Sequence, residues 1–397
     1  MKKIRLACLG LGGRARYLLS LYMQHPDVEL IAVCDRFQRN VDLTREYLKS
    51  DAYNAYLSYD AMMAGEQPDA LFLALDPDIQ ASYACDAMKR GVHVMTEVPA
   101  AYSIEQCWQL VDTVEATGRL YQLNEQTRYM YFITKWKEMY EAGDFGHILF
   151  MEGEYMHYER WDNYVDMNSG NMWHDRQATQ RPAISADLIG DQSAAKNIVP
   201  TWRYKSMAHP IYYLPHELSP LLRVTEDRVT RVSCMGTRAC SYHDPVIQSE
   251  SRDMEVAVMH TENDTVMRLA AGFTSPHGHR RDTACHWYHV VGTKAEAETA
   301  RTTNDGTKLW TIDGGWKEDV WPFSDPDAPA IAKTSSHGGL DWYPIEAFVK
   351  AYQNGTQPPL DVYRAVETAA PAIIAARSCE LGGVMLEVPD FRAKYGR

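Results

Sequence analysis

The sequence predicts an α/β fold in which a doubly wound parallel sheet is followed by an α+β domain with an open, mostly antiparallel sheet. Continuous apolar runs alternate with amphipathic segments from residue 4 to about residue 122, a pattern typical of a parallel sheet with helices on both faces. A glycine-rich turn follows the first of these runs. After residue 125 apolar and polar residues alternate, as in antiparallel strands with one exposed face.

The N-terminal part, residues 1–124, is predicted to form one domain. Its strands are the continuous apolar runs, because a parallel strand is buried on both faces. These predicted strands are IRLACLG, VELIAVCD, ALFLAL, VHVMTE and LYQLNE. The segments between them predict helices at RARYLLSLYMQ and over residues 38–49, 79–90 and 103–117.

The remainder, residues 125–397, is predicted to form a second domain for substrate binding and oligomerisation. An Ala-rich helix near the C-terminus is expected to pack back on one of the two domains, with the first as the candidate, and to kink or break at Pro371. An open sheet with one apolar face usually needs a partner, so we expect a homodimer or homotetramer. A further helix is predicted at TKWKEMYEAGDFG, and strands at HILFMEGEYMHYER, RVTRVSCMGTR, MEVAVMHTEN, TVMRLAAGF, CHWYHVVGT, AEAETAR and KLWTID.

Composition and charge narrow the class of protein. The chain has 397 residues, of which 45% are hydrophobic and 23% charged, as is typical of soluble globular proteins. The net charge of −13 argues against non-specific binding to nucleic acid or to an anionic membrane. No apolar run reaches the roughly 20 residues of a membrane span, and the N-terminus fits a buried strand better than a signal peptide. We therefore expect a cytoplasmic protein whose partner is a small molecule.

Cysteine and histidine spacing predicts no metal site. The 8 cysteines include no CxxC pair, which favours reduced thiols over a disulfide or zinc framework. His277 and His279 are predicted to lie in a turn, whereas His286 and His289 point to opposite faces of a strand. None of these groups has the spacing of a zinc site.

The turn GLGGRA predicts a dinucleotide site of the Rossmann type. Gly10 allows the tight turn, Gly12 allows a pyrophosphate to approach the backbone, and Ala15 allows close packing of helix and strand. Asp35 ends the second strand about 20 residues further on, where a carboxylate accepts hydrogen bonds from a ribose diol and repels a 2′-phosphate. NAD is thus favoured over NADP, although Arg36 weakens that preference. The alternative is a glycine turn without a nucleotide, and the other residues expected at this site are Gly13 and Arg14.

Several residues after residue 125 are candidates for catalysis or substrate binding. Tyr155 and His157 share one face of a strand, and Gly153 beside them is expected to leave room for a ligand. His216 lies close in sequence to Tyr213, and its imidazole can carry a proton near neutral pH. The alternatives are an ordinary half-buried Tyr–His pair and a core histidine.

Glu125 follows a strand at the carboxyl edge of the parallel sheet, where ligands bind in such folds. The alternative is an acidic residue that stabilises a helix N-terminus. Trp173 lies in the long irregular stretch 160–210, and its ring face suits a sugar. Arg280 and Arg281 suit an anionic sugar substituent, with a solvated loop as the alternative.

The stretch GVHVMTEVPAA, together with the nucleotide domain and the open sheet, resembles the Gfo/Idh/MocA family of two-domain, nicotinamide-dependent proteins. That family usually ends the fifth strand with Glu-Lys-Pro, and its lysine serves the hydroxyl group that is oxidised. Here the motif is Glu97-Val98-Pro99. Three further stretches resemble the C-terminal pattern of the family 109 glycoside hydrolases, which keep the same fold and NAD: SHGGLDWY, DVYRAVETAAPAIIAARS and VMLEVPDF.

The resemblance implies positions for site residues. LNEQTRY is similar to the family's Glu-Asn segment and places Glu125 and Gln126 at the site. GEYMHY and YYLPHELSP resemble segments that supply a tyrosine and a histidine, here Tyr155 and His216. Glu217-Leu218-Ser219 departs from the usual Ser-Leu-Gly, so a pocket shaped for another sugar is expected. Gln80 replaces a usual histidine, and Asp76, Gln80, Glu97 and Val98 are expected near the cofactor.

These residues predict a redox-neutral glycosidase that uses NAD. The hypothesis comprises transient oxidation of a sugar at C3, elimination of the anomeric substituent, addition of water and re-reduction. His216 would accept the proton of the C3 hydroxyl or polarise that hydroxyl. Tyr155 would remove the C2 proton, and Glu125 would assist the leaving group or the water. The alternative is an NAD(P)-dependent sugar or inositol dehydrogenase in which His216 replaces the lysine. A third possibility is a non-catalytic sensor of sugar or NADH.

Overall fold

The computed structural model describes two compact units. Unit 1 comprises residues 1–126, 328–369 and 391–397, and unit 2 comprises residues 127–327 and 370–390. No helix of the described residues is both long and apolar enough to cross a membrane. The residues described are 3–157, 209–237, 252–272, 286–302 and 305–397, with the backbone of two short strands between the first two ranges.

Unit 1 contains a six-stranded parallel sheet in the order β3-β2-β1-β4-β5-β6. The reversal of strand order beside β1 is the topological switch point at which α/β sheets bind ligands. The central strands β1 and β4 are buried on both faces, which explains why their sequences read as unbroken apolar runs. The strands are β1 (Ile4–Leu9), β2 (Val28–Cys34), β3 (Asn54–Tyr56), β4 (Ala70–Leu73), β5 (His93–Thr96) and β6 (Tyr121–Leu123).

Helices connect these strands and carry the core of unit 1. Leu18, Leu19 and Tyr22 of the first helix pack in one buried cluster with Phe72 of β4 and Phe348 from the C-terminal part of the chain. The helices are α1 (Gly13–Tyr22), α2 (Gln38–Leu48), α3 (Tyr59–Glu66), α4 (Pro77–Lys89) and α5 (Ile104–Thr117).

Unit 2 contains a nine-stranded sheet in the order β16-β15-β14-β13-β7-β12-β11-β10-β17. Its pairings are antiparallel except for β12 with β7, which is parallel. The strands are β7 (Ile148–Met156), β10 (Val229–Gly236), β11 (Met254–Thr261), β12 (Val266–Gly272), β13 (His286–Gly292), β14 (Ala295–Glu298), β15 (Lys308–Thr311), β16 (Gly315–Glu318) and β17 (Leu386–Glu387). A separate two-stranded ladder pairs β8 (Tyr164–Asp166) with β9 (Ile198–Pro200).

Two helices cover part of the large sheet in unit 2. These are α6 (Tyr131–Glu141), in which Trp136 is fully buried, and α7 (Pro215–Thr225), which follows the 3₁₀ turn Pro210–Tyr213. The C-terminal helices are α8 (Ala330–Lys333), α9 (Trp342–Asn354) and α10 (Val362–Glu380).

The fold class predicted from the sequence is confirmed, with local differences. The sequence pattern does not predict β3 or α3. Strand β3 has three residues and none of them is buried, so it lacks the apolar run that marks the other strands. Helix α10 runs through Pro371 without a break, so of the predicted kink or break the break was wrong. A proline inside a helix removes one backbone hydrogen bond, and the packing of a long buried helix outweighs that loss.

Substitution of Gly153, in the centre of β7, tests how closely the residues of unit 2 are packed. A Cβ atom at this position would lie 2.9 Å from Leu269 Cδ2 and 3.0 Å from Glu217 Cβ. We expect Gly153→Ala to lower the free energy of unfolding by about 1–3 kcal/mol, because a buried methyl group forces its neighbours apart. Urea unfolding measures the change. Leu149→Ala on the same strand, where Leu149 is 48% exposed, is the control and should change it by less than about 0.5 kcal/mol. Equal losses in the two variants would contradict this account of the packing.

Candidate active site

The glycine turn after β1 has space for glycine only at its first position. Gly10 has a φ of +90°, and a Cβ atom there would lie 2.3 Å from the carbonyl oxygen of Ala74. A side chain at Gly10 would therefore collide with the backbone that follows β4. The turn keeps β1 and the β4–α4 connection in close contact, as the sequence predicts for a nucleotide-binding turn.

The third residue of the turn leaves open space. Gly12 is the N-cap of α1 and, as a glycine, offers no side chain to cap the first N–H groups of the helix. No atom lies within 4 Å of a Cβ position at Gly12. Ala15, one turn further on, is fully buried. An uncapped helix start with room beside it fits a pyrophosphate.

Asp35 at the end of β2 is held in a fixed orientation. Its carboxylate accepts hydrogen bonds from Leu11 N at 2.9 Å, Phe37 N at 2.9 Å and Asn40 Nδ2 at 3.1 Å. The side chain thus connects the glycine turn with the start of α2. It presents a carboxylate where a ribose hydroxyl is expected and where a 2′-phosphate would be repelled. Arg36 places its guanidinium 4.8 Å from the ring centre of Phe37.

Gln80 supports the Glu97-Val98-Pro99 turn from inside the unit. It is fully buried, and its Oε1 accepts a hydrogen bond from Leu75 N at 3.2 Å. Its Nε2 donates to the carbonyl oxygens of Glu97, at 2.6 Å, and Pro99, at 3.1 Å. The amide group is therefore engaged within the protein, and Gln80 acts on the site by positioning this turn.

Arg14 joins the glycine turn to two carboxylates. Its guanidinium lies 3.3 Å from Glu97 Oε1 and 2.6 Å from Asp341 Oδ1. Burial raises the pKa of Glu97, and the charge of Arg14 opposes part of that rise. Arg14 was predicted as a cofactor residue on sequence grounds, and the structure places it between the turn after β5 and the start of α9.

Asp341, for which the sequence predicts no role, contacts Arg14 of the glycine turn. Its Oδ2 lies 2.8 Å from His337 Nδ1 and accepts a hydrogen bond from Ser336 Oγ at 2.8 Å. Burial alone would raise the pKa of Asp341, but the hydrogen bond from His337 and the charge of Arg14 hold it well below its usual value. Asp341 is thus a permanent carboxylate near the glycine turn. Asp341 belongs to SHGGLDWY, one of the stretches that resemble the family, but its contact with Arg14 cannot be read from the sequence.

The remaining predicted residues of unit 1 lie at the ends of strands or at a helix start. Glu125 and Gln126 follow β6 after one intervening residue, Asn124, and they are 0% and 5% exposed. Asp76 is the N-cap residue of α4 and follows β4 closely. All three therefore lie beyond the carboxyl ends of parallel strands, as predicted for this fold.

In unit 2, Tyr155 is the centre of a cluster of rings. Its ring centre lies 4.4 Å from that of His157, 5.5 Å from Tyr213, 5.1 Å from His216 and 5.1 Å from His286. The Tyr213 and His216 rings are stacked on it with interplanar angles of 8° and 21°. The structure thus brings together two pairs predicted from the sequence, Tyr155 with His157 and Tyr213 with His216, and adds His286.

His216 is held in place through its backbone. It is the second residue of α7, and its carbonyl oxygen accepts hydrogen bonds from Thr127 Oγ1 at 2.7 Å and from the Tyr288 hydroxyl at 3.0 Å. Two side chains from different parts of the unit therefore fix the first turn of α7. The imidazole position follows from this anchoring and from the stacking on Tyr155.

Glu217 and His286 form a buried pair beneath the rings. Glu217 is fully buried, and its Oε1 lies 2.6 Å from His286 Nδ1. The expectation that Gly153 leaves room for a ligand was wrong, because the space beside Gly153 holds Glu217. Glu217 stands out in the sequence as a departure from the family's usual pattern, but no spacing rule indicates His286 of β13 as its partner.

Trp173, Arg280 and Arg281, predicted for substrate binding, lie outside the described residues.

Two sequence families match this chain. Residues 4–125 match the oxidoreductase family with an NAD-binding Rossmann fold, and residues 316–396 match the C-terminal domain of glycosyl hydrolase 109. The chain is 26% identical to Glycosyl hydrolase family 109 protein 2 of Akkermansia muciniphila, covering 98% of this chain and 83% of the relative. It is 24% identical to an Alpha-N-acetylgalactosaminidase of Bacteroides fragilis, covering 98% and 92%.

Solved structures with the same fold include two oxidoreductases. An oxidoreductase from Agrobacterium radiobacter in complex with NAD⁺, L-tartaric acid and magnesium superposes with a TM-score of 0.72 at 14% identity, covering 99% of this chain and 100% of that one. Scyllo-inositol dehydrogenase from Lactobacillus casei with bound NAD(H) and scyllo-inositol gives 0.68 at 15%, covering 97% and 99%. With the family match of the first 125 residues, NAD is the cofactor. The open space at Gly12 and the carboxylate of Asp35 fit it.

Gly12 allows the cofactor site to be tested without disturbing the fold. Because its φ is −64° and no atom lies within 4 Å of a Cβ position, Gly12→Ala should fold as stably as the native chain. The added methyl group would occupy the space expected for the pyrophosphate, and we expect NAD affinity to fall at least about tenfold, or about 1.4 kcal/mol. Calorimetric titration with NAD measures the affinity, and a melting curve provides the stability control. Unchanged affinity in a folded variant would contradict this assignment.

Proposed function

The chain belongs to the Gfo/Idh/MocA family, in the branch of the family 109 glycoside hydrolases, and on that premise we propose that this NAD-dependent enzyme cleaves glycosides by transient oxidation of the sugar at C3. The name of the Bacteroides fragilis relative makes an α-linked N-acetylgalactosamine the first substrate class to test. The anionic substituent suggested by Arg280 and Arg281 stays a prediction.

The stacked pair of Tyr155 and His216 is the observation that carries the proposal. Their ring centres are 5.1 Å apart, so a phenol and an imidazole are held side by side. Oxidation of an alcohol needs one group to accept the hydroxyl proton, and elimination needs a second group to remove a proton from the next carbon. The pair supplies two such groups, whereas a plain dehydrogenase needs only the first.

We assign the proton transfers as follows. NAD, when bound, supplies reversible acceptance of a hydride at a sugar carbon. His216 accepts the proton of the C3 hydroxyl and returns it when the ketone is reduced again. Tyr155, as a phenolate or through a water molecule, removes the C2 proton as the C1–O bond breaks, and it returns a proton to C2 after water adds at C1. Glu125 is proposed to assist the leaving group or the attacking water.

Val98 supports this division of roles. At this position an isopropyl group stands where the family usually has an ammonium group, so the nucleotide-binding unit offers no lysine side chain here for the substrate hydroxyl. Proton transfer is therefore assigned to the residues of unit 2. The turn that carries Val98 is nevertheless fixed by Gln80 and by the ion pair of Arg14 with Glu97.

Chromogenic glycosides distinguish a glycosidase from a dehydrogenase. We expect 4-nitrophenyl α-N-acetylgalactosaminide or a related aryl glycoside to release nitrophenol with no net formation of NADH, because the sugar is reduced again before it leaves. Removal of bound NAD should abolish release, and addition of NAD should restore it. Stoichiometric NADH without nitrophenol would instead identify a sugar dehydrogenase, and bound NAD without turnover would identify a sensor.

Substitutions at the stacked pair test the assigned roles. Tyr155→Phe keeps the ring and removes the hydroxyl, and we expect kcat to fall by roughly 10²–10⁴-fold, the usual contribution of a general base. His216→Gln should cause a loss of similar size. NAD affinity should stay unchanged in both variants, and calorimetry checks it. Tyr140→Phe on α6 is the matched control and should keep full activity. Full activity in both site variants would contradict the assignment.

A further inference from the structure

Two cysteines and a glutamate from distant parts of the chain meet inside unit 2. Cys234 lies on β10, Glu255 on β11 and Cys379 on α10. Their two sulfur atoms and one carboxylate oxygen lie within 4.8 Å of one another, and all three residues are buried. In the described part of the chain, these are the three His, Cys, Asp or Glu residues whose ligand atoms come this close together. We call it the Cys–Glu cluster.

Strand pairing and one serine hold the Cys–Glu cluster together. Strands β10 and β11 are antiparallel, with Gly236 of β10 opposite Glu255. Ser378, the neighbour of Cys379, accepts a hydrogen bond from Cys234 N at 2.9 Å and donates one to the carbonyl oxygen of Val384 at 2.7 Å. Helix α10 is thereby fixed against β10 at the residue next to Cys379. Ligands on regular, hydrogen-bonded elements give a well-defined site.

Gly236 provides the space for the cluster. A Cβ atom at this position would lie 2.8 Å from Glu255 Cγ and 3.0 Å from Cys379 Sγ. Any side chain here would push the carboxylate and the thiol apart. The glycine is therefore required for their close approach, although its φ is not in the left-handed region.

Glu255 is oriented by hydrogen bonds. Its Oε1 lies 2.7 Å from His209 Nδ1, and its Oε2 accepts a hydrogen bond from Ile211 N at 3.1 Å. Metal-binding carboxylates are commonly held by such outer-sphere partners. Ile211 belongs to the 3₁₀ turn that leads into α7, so Glu255 also supports the segment that carries Tyr213 and His216.

Arg252 supplies the counter-charge that an occupied Cys–Glu cluster needs. Two thiolates, one carboxylate and a divalent ion leave one negative charge, and the Arg252 guanidinium lies 3.7 Å from the Glu255 carboxylate. Without a metal, Cys234 Sγ donates to the carbonyl oxygen of Met235 at 3.8 Å, and a divalent ion would displace the protons of both thiols.

We propose that Cys234, Cys379 and Glu255 bind a thiophilic divalent metal ion of the zinc class, with His209 orienting the carboxylate. Thiolate and carboxylate are both zinc ligands, and a four-coordinate site leaves one position for water. Binding forms two metal–sulfur bonds and releases two protons, with no change of oxidation state. The site joins the end of α10 to β10 and β11 and supports the turn before α7.

Cobalt reports directly on thiolate ligands. The reduced, chelator-treated full chain is titrated with Co²⁺ alone. We expect one equivalent to produce a thiolate-to-cobalt charge-transfer band and the strong visible bands of a four-coordinate site, and Zn²⁺ to remove both. Cys234→Ser and Cys379→Ser should lose the charge-transfer band or weaken it by about half. Cys107→Ala, which removes a buried thiol of α5, is the matched control and should keep it.

A second variant separates metal binding from loss of folding. His209→Gln should fold, retain the band and bind Co²⁺ roughly 10–100-fold more weakly, as expected for the loss of an outer-sphere partner. Zn²⁺ should raise the melting temperature of the native chain but not of the Cys379→Ser variant. Absence of the band at stoichiometric Co²⁺ would overturn the proposal, as would an undiminished band in both serine variants. A mass lower by two hydrogens that prevents binding until reduction would show a disulfide pair instead.

Discussion

The contact between the rings of Tyr155 and His216 is the interaction on which the proposed chemistry depends. Tyr155 lies on the central strand β7, whose position is fixed by pairing with β12 and β13 on either side. His216 lies in the first turn of α7, which Thr127 and Tyr288 anchor through hydrogen bonds to its carbonyl oxygen. Each ring of the pair lies on an element that has its own supports. A proton acceptor that must act at one atom of a sugar needs this kind of fixed support.

Gly153, Glu217 and His286 adjoin that pair. The absence of a side chain at Gly153 lets Glu217 approach β7, and Glu217 then binds His286 from β13. A buried carboxylate beside an imidazole is stabilised when the two are hydrogen-bonded to each other. The space at Gly153, which the sequence suggests is for a ligand, is therefore occupied by Glu217.

Local patterns predicted most of the fold and only part of the site. The parallel strands, the glycine turn and Asp35 follow from short stretches, because burial on both faces and tight turns leave strong local signals. The pairs Arg14–Asp341 and Glu217–His286 join residues far apart in the chain, and no spacing rule indicates them. The same limit applies to Cys234 and Cys379. Tyr155 and His216 are candidates both from their surroundings in the sequence and from the family resemblance, whereas their contact required the structure.

Cleavage by elimination across C1 and C2, with NAD regenerated in each turnover, requires a base to remove the C2 proton. Hydrolysis of an aryl glycoside in deuterated water detects this step, because the C2 proton is exchanged with solvent only if a base removes it. We expect one deuterium at C2 of the released sugar, with no incorporation into unreacted glycoside. Release of the aglycone with hydrogen fully retained at C2 would show that no elimination takes place.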